Sequence, residues 1–154
     1  MKTLACLRPL ALAPLLLLSS NHPVSLRSVT LPLEPIADQL PARYTMPIDV
    51  VLRSARDYRL VFGHDAPGVD FDKEWVVLYS AGLVSVESSV AIEEVRVTEG
   101  GNALEVTTLL GLNPCSPLLL AQTAYAMAKI PALQPAPAVV RFQHHLFTTM
   151  CVPD

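Results

Sequence analysis

His144 and His145 are adjacent, in a chain whose other two histidines are His22 and His64. An imidazole can ligate a metal ion or carry a proton. Neighbours on a strand point to opposite faces, so this pair cannot readily chelate one ion. A metal site would need partners such as His64 or Asp65, brought close by the fold. The plainer expectation is one histidine turned outward, one packed in the core, and no metal. Asp65, Asp70, Asp72 and Glu74 place four acids within ten residues. Their order does not fit an EF-hand, and Pro67 interrupts it. The run reads as a solvated acidic turn. Trp75 could stack on a ligand, but at the start of an apolar strand it reads as core. The sequence holds no G-x-S-x-G elbow, no H-E-x-x-H, no P-loop and no G-x-G-x-x-G. No catalytic residue, cofactor or reaction is therefore expected.

The elements that must position these residues are mainly strands. Fourteen prolines against six glycines argue against long helices. Thr45 to Leu52 reads as a first strand. Ser54 can cap a helix of about two and a half turns that buries Tyr58, Val61 and Phe62 and ends at Gly63. Trp75 to Ala81 is a continuous apolar run, which predicts a strand buried on both faces and broken by Gly82. In Ser88 to Val97, Val90 and Ile92 lie in one phase and Val95 and Val97 in the other. That slip at Glu93-Glu94 predicts a β-bulge. Glu99-Gly100-Gly101-Asn102 is a turn signal, with Leu104 to Val106 as the return strand. The segment Leu118 to Pro131 is ambiguous. Its composition favours helix, whereas Thr123 to Lys129 alternates small and large residues as a strand does. Val139 to Phe147 is the last strand. The expected fold is mainly β, an antiparallel sandwich or open barrel with one short N-terminal helix.

The chain has 154 residues, 51% of them apolar and 16% charged, with a net charge of -3. It can bury a core, and it has no basic stripe of the kind nucleic acid requires. Lys2 and Arg8, the apolar run Leu10 to Leu18 and the polar Ser19 to Asn21 follow the order of a signal peptide over residues 1–20. The run is too short to span a bilayer, so no membrane span is expected once the leader is cleaved. Without Lys2 and Arg8, nine cations face 14 acids, a charge of about -5. Residues 21–44, with Pro23, Pro32, Pro35 and Pro41, read as a linker or arm, and residues 45–154 as the folded domain. Removing the leader also removes Cys6. Cys115 and Cys151 remain, an even count in an oxidising compartment. A disulfide between them would close a loop worth roughly 4 kcal/mol in chain entropy. The other reading is a reactive thiol, which no neighbouring residue promotes.

From Phe62 to Gly82 the chain reads FGHDAPGVDFDKEWVVLYSAG. A helix end at Phe-Gly, a proline-containing loop, Val-Asp-Phe and a tryptophan opening an apolar strand resemble the bacterial PrcB family. That family is named for an accessory subunit of a cell-surface protease complex. Ile92 to Val97, the Gly100-Gly101 turn, Leu104 to Val106, Asn113-Pro114-Cys115, Lys129 to Pro131 and the late Cys151 are similar in order and spacing. The resemblance spans about Arg53 to Cys151. It departs where the family carries Thr-Gly-Gly-Tyr, for here Ser85-Val86-Glu87-Ser88 stands in its place. Valine and glutamate do not take the backbone conformations open to glycine, so that loop must differ.

The resemblance implies a compact exported β domain, periplasmic, surface-bound or secreted, that binds another exported protein such as a protease. It implies no reaction. The candidate contacts are Gly82, Ser85, Glu87 and Ser88, with Asn113 and Pro114 in the following loop, and strand edges able to pair with a partner. Two other expectations stand beside it. One is a protease inhibitor inserting the Asn113 to Pro117 loop. The other is a small-ligand binder, with an apolar cavity between the sheets.

Overall fold

The computed structural model describes residues 28–98, 100–113 and 121–148. Eight strands and one helix follow one another: β1 (Val29–Thr30), β2 (Glu34–Pro35), β3 (Ile48–Leu52), α1 (Ala55–Phe62), β4 (Glu74–Ser85), β5 (Ser89–Val97), β6 (Ala103–Leu112), β7 (Ala121–Pro131) and β8 (Val139–Thr148). They form two four-stranded sheets, ordered β1-β5-β6-β8 and β2-β7-β4-β3. The chain is mainly β with one short helix, as a sandwich. One pairing departs from the antiparallel rule. β8 runs parallel to β6, from Ala103 opposite Val139 to Leu112 opposite Thr148. The chain leaves β6, passes through β7 in the other sheet, and returns, which is the crossover a parallel pair requires.

β4 is buried on both faces, as its apolar run predicts. Trp75 and Val77 point between the sheets and pack with Val95, Leu104, Val106 and Ile130. Val76 and Leu78 point the other way, into a second core with Leu52, Tyr58, Phe62 and Met127. Alternation along a strand thus feeds two cores from one sequence run. Val76, Val77 and Leu78 are fully buried, each contributing about 1.5–3 kcal/mol of transfer free energy. The Arg53 guanidinium lies over the Trp75 ring, 4.9 Å from its centroid.

The helix forms where its caps require. The Asp57 amide donates to the Ser54 hydroxyl at 3.1 Å. At the other end Gly63 takes φ +85° and donates to the Arg59 carbonyl. Tyr58 and Phe62, one turn apart, stack at 4.3 Å and close the second core.

Four expectations need correction or completion. Gly82 does not end β4. The strand continues to Ser85, and its register shifts between Ser80 and Gly82. Gly82 takes φ +73°, and a Cβ there would stand 2.8 Å from the Thr45 carbonyl, so glycine bends the strand rather than breaking it. The ambiguous segment is a strand from Ala121, because β7 lies between β2 and β4 and tertiary pairing overrides its helix propensity. Of the two readings, linker or arm, residues 28–44 are an arm packed on the domain. β1 pairs with β5, β2 pairs with β7, and Leu40 is buried in the second core. The folded unit therefore begins before residue 45. The bulge expected in β5 lies where the phase slips, between Ile92 and Glu94.

Candidate functional site

β3 and β8 are the outer strands of the two sheets. Side chains join them. His144 on β8 sends Nε2 to Asp49 Oδ2 on β3 at 3.1 Å, while its Nδ1 lies 2.8 Å from the Thr108 hydroxyl on β6. Its ring stacks on Tyr79 of β4 at 5.1 Å. Burial raises the pKa of the Tyr79 phenol, an effect that Thr108 opposes and Asp49 reinforces. Nearby, Arg53 donates to the Pro137 carbonyl. An imidazole held between a carboxylate and a hydroxyl resembles a nucleophilic triad in composition. Thr108, however, is fully buried, so no substrate can reach its oxygen. The group works as a clamp across the seam.

His145 points to the opposite side and lies 3.3 Å from Glu93 at the β5 bulge. Neither histidine is a core residue. Their side chains are 44% and 60% exposed, which corrects the expectation of one packed inside. β8 lies at an edge, and its residues from Gln143 to Thr148 are exposed. His64 and Asp65 are not drawn to this pair. His64 lies 3.6 Å from Asp38, and Asp65 accepts from Arg59. Among the described residues no cluster of three metal-ligating side chains forms. The acidic turn is internally compensated. Asp70 pairs with Lys73, and this bond, with the Asp72 amide, holds its carboxyl below the usual range.

The residues proposed from the loops converge at one end of the sandwich. The Ser85 and Ser88 hydroxyls are 2.8 Å apart, and the Ser88 amide donates to the Ser85 carbonyl. Asn113 donates to Glu87, and Gln122 donates to the Val86 carbonyl. Ser85, Glu87, Ser88 and Asn113 are therefore one hydrogen-bonded group at the tip of the β4–β5 hairpin. Gly82 stands apart from it, against Thr45. Pro114, Cys115 and Cys151 lie outside the described residues, as do residues 1–20, expected as a leader, and most of the Asn113 to Pro117 loop. A cleft of about 180 Å³ opens beside this tip, lined by Glu87, Asn113 and Phe147 among others.

A third group fastens the arm. Tyr58 donates to Asp38, Tyr125 donates to the Asp38 carbonyl, and Arg43 donates to the Val61 carbonyl. Burial, then the Asp38 bond, drives the Tyr58 phenol far above its ordinary pKa. Another cleft, of about 300 Å³, surrounds Lys129. There the ammonium lies 3.0 Å from Glu34 and 3.3 Å from Glu74. The Glu34 bond chiefly raises its pKa, against partial desolvation. The four charged side chains that line it are all engaged, Lys73 with Asp70 and Lys129 with both glutamates. The space between the sheets is filled by Trp75, Val77 and their neighbours, which leaves the small-ligand reading without its cavity there.

Asp49, Tyr79 and Thr108 were not legible as partners of His144. They lie on three strands, and only sheet register brings them together. No described helix is long and apolar enough to cross a membrane. No family model, curated protein or solved structure matches the chain.

Proposed function

We infer that this protein is an exported, non-enzymatic binding domain that attaches to another exported protein, with a secreted or surface protease as the favoured partner class. One observation carries the reading. Among the described residues the histidines and the buried hydroxyls are occupied in holding elements together, while an apolar strand edge is turned to solvent. His64, His144 and His145 each face a carboxylate from a different element. The Thr108 and Ser80 hydroxyls and the Tyr58 ring are fully buried. Meanwhile Leu146 and Phe147 on β8 are 65% and 58% exposed. Exposed apolar side chains on an edge strand favour partner contact over catalysis. The leader-like start and the resemblance to the PrcB family supply the compartment and the partner class. The test is affinity purification of the tagged protein from its host's envelope and medium after mild crosslinking. A stoichiometric protein partner is expected. Recovery of the protein alone, as a monomer, would contradict the reading.

A further inference from the structure

We propose that β8 is the docking edge, and that its occupant is an extended segment of a partner protein, apolar and basic in alternation, added as a further strand. The proposal rests on the binding function inferred above and specifies its site and chemistry.

Among the described residues β8 pairs with β6 alone, at the end of its sheet. Ten residues offer an edge of roughly 33 Å. Edge strands are ordinarily protected by proline, lysine, a bulge or a cover. β8 contains no proline or lysine, and its register with β6 is unbroken. Val139, Leu146 and Phe147 project from it, each more than two-fifths exposed.

Charge selects the partner. Two carboxylates flank the face of β8 that His145 and Phe147 share: Glu93 beside His145, and Glu87 in the cleft it shares with Phe147. Among the described residues their side-chain partners are His145 and Asn113, not lysine or arginine. Arg141, on β8 itself, is matched by Glu105. The apolar edge thus sits in an acidic frame, on a chain of net charge -3. Lysine or arginine at alternate positions of an added strand would meet Glu93 and Glu87 on the face that His145 and Phe147 share, while the intervening apolar residues cover Leu146 on the other face. Main-chain bonds supply affinity in such an arrangement, and alternate side chains supply specificity. An acidic segment would be repelled, and a second copy of β8 would bring no acid of its own to Arg141.

The test uses two dye-labelled decapeptides, one alternating lysine and valine, the other glutamate and valine. Binding to the full protein is read by fluorescence anisotropy and by hydrogen exchange of the β8 amides. The lysine probe is expected to bind at least tenfold more tightly than the glutamate probe and to slow exchange across Val139–Thr148. The double variant Glu87→Gln, Glu93→Gln should weaken it about fivefold, in keeping with two exposed ion pairs. Equal binding of both probes, no binding, or protection confined to other strands would overturn the proposal. So would concentration-dependent protection of β8 without peptide, which would make a second copy the occupant. If affinity purification yields a partner crosslinked only elsewhere, the binding function stands and this docking edge falls.

Discussion

His144 and Asp49 meet at 3.1 Å across the gap between the two sheets. No main-chain ladder joins β3 to β8, so this contact, the Tyr79 stack and the Arg53 bond to Pro137 close that side of the sandwich. Replacing His144 by Ala removes the bond to Asp49 and leaves the buried Thr108 hydroxyl short of a partner. A loss of about 1–2 kcal/mol is expected in urea unfolding. Asp49→Ala should cost less, because that carboxylate is exposed enough to be solvated. A double-mutant cycle should give a coupling of about 0.5–1 kcal/mol.

Gly82 should be far less replaceable than Gly63, although both take positive φ. A Cβ at Gly63 meets nothing within 4 Å, whereas one at Gly82 meets the Thr45 carbonyl at 2.8 Å. Gly63→Ala is expected to cost about 1 kcal/mol for the left-handed backbone alone. Gly82→Ala adds a clash with main chain that cannot rotate away, so about 2–4 kcal/mol is expected. Thermal melting of the two variants side by side measures the difference.

Alkaline titration should report on Tyr58 and Tyr79. Tyr58 and Tyr79 both have raised pKa values, with burial as the first cause. In the unfolded chain each ionises near the ordinary value of about 10. The folded state keeps its protons longer, so unfolding releases protons above that pH. The stabilising contribution is complete below about pH 10 and is lost as pH rises towards the folded values. Absorbance at 295 nm should show Tyr58 and Tyr79 ionising only as the fold opens. Tyr58→Phe should reduce that late-ionising amplitude.

Leu78 lies wholly inside the second core, between the sheet and the helix. Leu78→Ala should cost about 3–5 kcal/mol by the cavity it leaves. Leu146→Ala, on the exposed part of β8, should cost under about 0.5 kcal/mol. A similar loss from both would contradict the assignment of β8 as a solvent-facing edge.

Much of this fold was legible in the chain because local rules and tertiary packing agree there. Ser54 and Gly63 bracket the helix, the phase slip at Glu93-Glu94 marks the bulge, and the apolar run from Trp75 announces a strand buried twice. The sequence misleads at Gly82, where glycine serves a close approach to Thr45 rather than a chain break. It also misleads in residues 28–44, whose prolines are compatible with short edge strands. The parallel return of β8 beside β6 carries no local signature at all. The His144 clamp depends on that return, so its partners could not be inferred from spacing. The grouping of Ser85, Glu87, Ser88 and Asn113 was anticipated as two loops and is one hydrogen-bonded tip.

The most direct measurement places a photo-reactive amino acid at Gln143, on the exposed face of β8, and separately at Arg56 on the helix. The tagged protein is then irradiated in its host's envelope and medium. A single exported protein, crosslinked from Gln143 and absent from Arg56, is the predicted result. Equal, diffuse labelling from both positions, or no crosslinked protein from either, would contradict a binding domain that works through its β8 edge.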